Sequence, residues 1–199
     1  MSAGPAGPLS PDRIVLTGFM GAGKSTVGRM LATRLGWPFL DIDALITAEH
    51  GLSIAQIFSV HGEPHFRRIE AEAVARVLDG AYEHPRAVVA LGGGAIETEA
   101  VRDMLFPASP SVPATVTIFL SAPLPELLAR CHLAPGNNEA PVRPLLAAPE
   151  PPEERLARRL PFYRQAHLTV ETTGLSPDRV VESIMSWLSG AWLSGLPGR

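Results

Sequence analysis

A single stretch constrains this chain more than any other. Gly18-Phe19-Met20-Gly21-Ala22-Gly23-Lys24-Ser25-Thr26 fits the phosphate-binding pattern G-x-x-x-x-G-K-[ST]. Its glycines let the backbone curl so that several N–H groups converge, making a nest for an anion. Lys24 adds a positive charge for the outer phosphates, and the Ser25 hydroxyl is a ligand for Mg²⁺. The flanks agree with this. Ile14-Val15-Leu16 is a short apolar run that reads as a buried strand, and Val27, Met30, Leu31 and Leu35 recur at helical spacing behind the loop. A helix starting at Lys24 aims its positive end at the same phosphates. A chance glycine-rich turn has no reason to sit between a strand and an amphipathic helix, so the stretch implies a bound nucleoside triphosphate.

Composition sets the bounds. The chain has 199 residues, 46% hydrophobic and 19% charged, enough for one domain with a sizeable core. A formal net charge of -3 gives no ground for expecting nucleic acid or a membrane as partner. No run approaches the roughly 18 apolar residues of a membrane helix. Met1–Pro11 lacks the basic and apolar regions of a secretory signal. Gly and Pro crowd that segment, so residues 1–11 are expected to be a disordered tail, 12–194 the domain and 195–199 a frayed end. The single cysteine, Cys131, excludes an internal disulfide and suits the cytoplasm. With no long exposed apolar stripe evident, a monomer is expected.

Gly36 and Pro38 end the first helix. Phe39-Leu40-Asp41 reads as a second strand with Asp41 and Asp43 at its carboxyl end, where ligands sit in open α/β sheets. The bland use of such residues is an acidic turn and helix cap. Their place in the unit after a phosphate loop favours a functional one. Ser53-Ile54-Ala55-Gln56 has capping-box form and starts a helix that includes Ile57 and Phe58. Another helix is expected from about Glu63-Pro64, with an apolar stripe through Phe66, Ile69, Ala73, Val74 and Val77. Glu63 and Glu70, four before and three after, can both reach Arg67. Spacing alone does not decide whether they orient Arg67 for a ligand or form an exposed salt bridge of little worth. His61 and His65 are also four apart, but Gly62 and Pro64 interrupt any helix between them and no third ligand is evident. All six histidines are therefore read as structural or surface residues.

Ala87–Leu91 is a buried-strand candidate that runs into Gly92-Gly93-Gly94, a triplet that admits close approach to backbone N–H groups or is simply a flexible turn. A helix from about Glu97 to Leu105, a strand over Thr115–Leu120 and a helix over Pro123–Cys131 follow. His132–Pro152 is rich in Pro, Gly and Asn and has little periodicity, the pattern of a lid or a disordered segment. Its one basic residue, Arg143, suits stabilisation of transition-state charge beside a nucleotide, although composition leaves a solvent-facing arginine open. Glu153–Ala166 reads as an arginine-rich helix kinked at Pro161, most of its arginines on a solvated face. Leu168–Val170 is the last strand, and Ser176 and Pro177 are the cap and first position of a terminal helix. Five short strands alternating with helices make a parallel, three-layer α/β domain.

Taken together, these stretches resemble shikimate kinase, from about Ile14 to Leu188. The resemblance is carried by Gly18 to Arg29, Asp41-Ile42-Asp43, Phe66-Arg67-Arg68-Ile69-Glu70, Gly92-Gly93-Gly94-Ala95, Arg143-Pro144-Leu145-Leu146 and Arg159-Leu160-Pro161-Phe162-Tyr163. It implies a three-layer α/β/α P-loop kinase fold with a mobile lid at about 132–150. It also implies transfer of phosphate from ATP to the 3-hydroxyl of shikimate. By that likeness Asp43, Lys24 and Arg143 are catalytic. Gly21, Ala22, Gly23, Lys24, Ser25, Thr26, Arg130, Arg143, Ser176 and Pro177 bind ATP, and Ser25 and Asp41 belong to the Mg²⁺ shell. Arg67 and Arg159 grip the substrate carboxylate, and Gly92, Gly93 and Gly94 offer backbone to the substrate. Ile54, Phe58 and Phe66 wall its ring. His167 stands where the family often has Asp, and Asn137-Asn138-Glu139-Ala140-Pro141 precedes the lid arginine. A P-loop kinase for another small polyol acid such as gluconate would explain the loop and the lid, but not Arg67 and Arg159 together with Asp43. A non-catalytic nucleotide-binding regulator would have no need of Lys24, Ser25, Asp41, Asp43 and Arg143 together.

Overall fold

The structure, a computed structural model, describes residues 11–80, 84–107, 115–133 and 150–194. Most of the expected tail, nearly all of the expected lid with Arg143, and the end over 195–199 lie outside these residues. Pro11, counted above with the tail, is already buried.

Five parallel strands form one sheet, β1 (Arg13–Thr17), β2 (Phe39–Asp41), β3 (Ala87–Ala90), β4 (Thr115–Ser121) and β5 (Leu168–Glu171), in the order β2-β3-β1-β4-β5. The central strand β1 runs in register with β3 (Val15 beside Val89) and with β4 (Val15 beside Thr117). Its Ile14, Val15 and Leu16 are fully buried, each worth about 1.5–3 kcal/mol of burial. Arg13 opens this apolar strand and is itself buried. Its guanidinium donates to the carbonyls of Val77, Asp12, Pro85 and His84, so no donor is stranded on that account. From β1 the chain passes to β2 at one edge, returns to β3, then crosses to β4 on the other side of β1. Its direction of winding therefore reverses around β1, which puts a crevice at the carboxyl ends of these strands.

The helices are α1 (Lys24–Leu35), α2 (Ile42–His50), α3 (Ile54–Leu78), α4 (Glu99–Leu105), α5 (Leu124–Leu133), α6 (Pro152–Tyr163) and α7 (Pro177–Ser194), with a 3₁₀ turn at Ala95–Glu97. α1 packs on α7, and α3 packs on α4 and the 3₁₀ turn. The capping box at Ser53 forms with both bonds in place. The two helices expected on either side of Gly62 join without a loop, Gly62 absorbing the break at φ 78 and ψ 167. α2 was not expected as a helix. Asp41 ends β2 and caps α2 in one step, its Oδ1 accepting the Ala44 N–H at 3.4 Å, so no turn residues mark the boundary. The helix expected from Glu97 splits into the 3₁₀ turn and α4, because Thr98 is extended (φ -78, ψ 121) between them.

α6 departs from expectation. Arg155 and Arg159 are buried, and only Arg158 and Arg164 face solvent. The helix runs through Pro161, as expected, but ends at Tyr163 rather than Ala166. His167 is structural: its Nδ1 accepts the N–H of Thr117 at 3.0 Å. No helix among the described residues is long and apolar enough to cross a membrane.

Candidate active site

A cavity of about 980 Å³ opens at the carboxyl end of the sheet. Residues Met20 to Val27 form its floor, turning from β1 into α1. Gly21 shows why the loop must be glycine-rich. Its φ is 77, and a Cβ there would stand 2.0 Å from the Leu127 carbonyl oxygen. Lys24 Nζ donates to the carbonyls of Gly18 (2.8 Å) and Phe19 (3.1 Å), which holds the ammonium over the start of the loop. Ser25 Oγ donates to Asp41 Oδ2 at 2.8 Å, so Asp41 caps α2 with one oxygen and meets the head of α1 with the other.

One end of the cavity is lined by Arg130, Thr172, Leu175 and Pro177. Arg130 donates to the Thr172 hydroxyl and carbonyl and to Glu126, tying α5 to the end of β5. Ser176, expected beside the nucleotide, is not in the lining. Its Oγ accepts the Arg179 N–H at 3.4 Å, the helix-cap role its position also predicts.

The other end holds Asp43, Ile54, Phe58, Phe66, Arg67 and the glycine triplet. The rings of Phe58 and Phe66 lie 4.7 Å apart and make a wall. Asp43 sits in the first turn of α2, its carbonyl accepting from the Thr47 hydroxyl. Arg67 donates to Glu63 at 2.9 Å and to Glu70 at 2.7 Å. Burial alone would lower its pKa, but the two carboxylates outweigh burial and raise it. Glu63 is well exposed whereas Glu70 is fully buried, so the alternatives left open by spacing resolve into one surface arm and one interior arm.

Glu70 was legible only as a partner of Arg67. Burial pushes its carboxyl up to about 7, with Arg67 pulling it down and Asp43 adding to the rise. Its Oε1 has no hydrogen-bond partner. The triplet makes room for these charges. A Cβ on Gly92 would lie 2.5 Å from Glu70 Oε1 and 2.9 Å from Asp43 Oδ1, and one on Gly94 would lie 2.4 Å from Arg67 Nη2. Gly92 and Gly94 are thus small because charged side chains press on them. The carbonyl of Gly93 accepts from the Tyr163 hydroxyl at 2.5 Å, and burial raises the Tyr163 pKa.

Like Ser176, Arg159 is an expected site residue that does not line the cavity. It is 1% exposed, its Nε donates to Glu97 Oε2 at 2.7 Å, and its guanidinium lies 5.8 Å from the Phe19 ring centre. Its charge acts on Glu70, and it both hydrogen-bonds to and acts electrostatically on Tyr163, whose hydroxyl donates to Gly93, so it lies close to the triplet. Glu97 had no assigned role, because a partner 62 positions distant leaves no local signal.

A family model described as shikimate kinase matches residues 20–189. The chain belongs to the shikimate kinase family. It is 41% identical over 186 residues to a shikimate kinase of Geobacter metallireducens, covering 92% of this chain and 95% of that one. To a shikimate kinase of Halorhodospira halophila it is 42% identical, covering 91% and 96%. Among solved structures, shikimate kinase from Acinetobacter baumannii in complex with shikimate is similar with a TM-score of 0.76 at 33% identity, covering 91% of this chain and 94% of that one. The chain is thus a kinase of this family with ATP as co-substrate.

Proposed function

We propose that the protein transfers the γ-phosphoryl group of ATP to the 3-hydroxyl of shikimate, giving shikimate 3-phosphate and ADP. The observation that carries this is one cavity joining the phosphate loop to Asp43, Arg67 and the Phe58–Phe66 wall, in a chain of the shikimate kinase family. The triphosphate lies on the loop against the N-terminus of α1, with Lys24 at its outer phosphates. The adenine end extends toward Arg130 and Pro177. Shikimate sits at the opposite end, its ring on Ile54, Phe58 and Phe66 and its carboxylate toward Arg67 and Arg159.

The 3-hydroxyl oxygen forms a bond to the γ-phosphorus, the bond to the β,γ-bridging oxygen breaks, and the hydroxyl proton passes to the Asp43 carboxylate. Positioning and charge neutralisation carry most of such a reaction. Arg143 is assigned to the phosphates. Ser25 Oγ and Asp41 Oδ2 are hard oxygen donors meeting at the head of α1, a set that fits Mg²⁺, and we assign these two residues to hold it. When bound, the ion neutralises charge on the phosphates.

The same reading makes the enzyme a monomer without nucleic-acid or membrane partners. Among the described residues only Val60 and Leu175 are large exposed hydrophobics, and Leu175 lines the cavity. The single cysteine, Cys131, is buried and fits a reducing cytoplasm. No observation favours gluconate as acceptor or a non-catalytic role. A coupled assay of ADP release with ATP and Mg²⁺ tests the proposal. Turnover is expected with shikimate and not with gluconate or without acceptor, and absence of shikimate-dependent turnover refutes it.

A further inference from the structure

Glu97 stands at the end of the 3₁₀ turn that follows the glycine triplet. Its N–H donates to the Gly94 carbonyl at 2.9 Å, and its own carbonyl accepts from Arg102 Nη1 at 2.7 Å. The backbone of this residue is therefore fixed to the loop that lines the acceptor end of the cavity. Its carboxylate points to α6 and splits between adjacent arginines, Oε1 accepting from Arg158 Nε and Oε2 from Arg159 Nε, each at 2.7 Å. The two bonds differ in kind. Arg158 is half exposed and also pairs with Glu150, so its bond to Glu97 belongs to a solvated network of little worth. Arg159 is buried, and a buried guanidinium needs a counter-charge to stay where it is.

A guanidinium is a planar fork with two usable edges, one shared by Nε and Nη2, the other by Nη1 and Nη2. Glu97 takes the first edge, at Nε. Nη1, which serves only the second, is buried and has no hydrogen-bond partner. An orphaned cationic donor in the interior is costly unless something arrives to accept from it. Burial would raise the Glu97 pKa, but the bonds and charges of Arg158 and Arg159 overcome burial and hold the carboxyl below its ordinary value. The counter-charge therefore stays in place at neutral pH.

We propose that Glu97 is a positioning residue that holds Arg159 by one edge of its guanidinium and leaves the other edge for the substrate carboxylate. This rests on the assignment of Arg159 to that carboxylate under the proposed function. Without Glu97 the side chain loses its anchor, and ordering it becomes a cost of binding.

Calorimetric titration of the full chain with shikimate, and separately with ATP, tests this. Glu97→Ala is expected to weaken shikimate binding about tenfold and leave ATP binding unchanged. Glu97→Gln, which keeps an oxygen for Arg159 Nε, is expected to lose less. Arg158→Ala, which breaks only the exposed bonds to Glu97 and Glu150, is expected to bind shikimate like the wild type. The methyl ester of shikimate, with no carboxylate, is expected to bind wild type and Glu97→Ala alike. The proposal fails if Glu97→Ala binds shikimate within twofold of the wild type while Arg159→Ala does not. It also fails if Arg158→Ala matches Glu97→Ala, since Glu97 then only anchors α6, or if the ester reports the same loss as shikimate. If Arg159→Ala itself leaves shikimate binding intact, the assignment of Arg159 fails and this proposal falls with it.

Discussion

Gly94→Ala is the substitution whose effect follows most directly from the geometry. Gly94 has φ -101 and ψ -9, a conformation open to alanine, so the backbone itself presents no obstacle. The obstacle is Arg67. A Cβ would lie 2.4 Å from Nη2, 2.7 Å from Nη1 and 2.8 Å from Cζ, all well inside van der Waals contact. Restoring a separation of about 3.5 Å requires the guanidinium to retreat by roughly 1 Å. Elsewhere an arginine tip would retreat freely, but this one is tethered to Glu70 at 2.7 Å and Glu63 at 2.9 Å. Such a movement takes the Glu70 bond beyond hydrogen-bonding range. A charge-assisted bond of this kind is worth about 1.5–3 kcal/mol. The lost flexibility of the unfolded chain returns about 0.4–1 kcal/mol. The net destabilisation is then about 0.5–2.6 kcal/mol, readable in urea unfolding. Shikimate affinity should fall roughly tenfold to a hundredfold, because the displaced fork no longer meets the carboxylate with two parallel bonds. ATP affinity should not change. The loss should disappear in an Arg67→Ala background, since the clash then has no second partner. Wild-type shikimate affinity in Gly94→Ala, with Arg67→Ala strongly impaired, would refute the claim that the triplet sets the position of Arg67.

Two further outcomes concern stability. Because the Glu70 pKa rises from 4.5 to about 7 on folding, the folded chain keeps a proton that the unfolded chain has lost across that window. The associated stability is fully present below the unfolded pKa and is lost as pH rises through the folded pKa, so wild type should decline against Glu70→Gln by up to about 3 kcal/mol across it. Parallel unfolding curves for the two proteins between about pH 5 and 8 would refute this. Gly190 lies inside α7 with nothing within 4 Å of a Cβ, so Gly190→Ala should stabilise by about 0.5–1 kcal/mol without touching turnover, and an unchanged or lower Tm would contradict it.

What the sequence discloses here, and what it hides, divides along physical lines. The strands were legible because a parallel sheet covered on both faces needs continuous apolar runs, as in Ile14-Val15-Leu16 and Ala87–Ala90. The phosphate loop was legible because its chemistry is local: every donor comes from consecutive residues. α2 was hidden because Asp41 is at once the last strand residue, the helix cap and the partner of Ser25. The burial of Arg155 and Arg159 was hidden for another reason. Arginine normally stands in water, and only acceptors that the fold brings to its guanidinium reverse that preference. For Arg159 they include the Glu97 carboxylate and for Arg155 that of Glu150. Arg13 is buried on carbonyls alone, which no side-chain pattern records.

The two arginines assigned to the acceptor carboxylate share one construction. Arg67 is held by Glu63 and Glu70, and Arg159 is held by Glu97. Each arginine is fixed by protein carboxylates before any substrate carboxylate arrives. A positive pocket made of loose arginines would bind an anion as well by charge alone, but each would have to be ordered at the moment of binding. Fixing them during folding moves that cost out of the binding step, and burying Glu70 beside Asp43 is part of what the fold bears for it. The arrangement also sets a geometric condition on the ligand. Under the proposed function, only a planar carboxylate at a fixed distance from the phosphoryl-accepting hydroxyl meets both arginines and Asp43 together. The phosphate loop imposes no such condition, since its donors close on any nucleoside triphosphate. On that proposal, selectivity for the acceptor resides in the carboxylates that hold the arginines as much as in the arginines themselves.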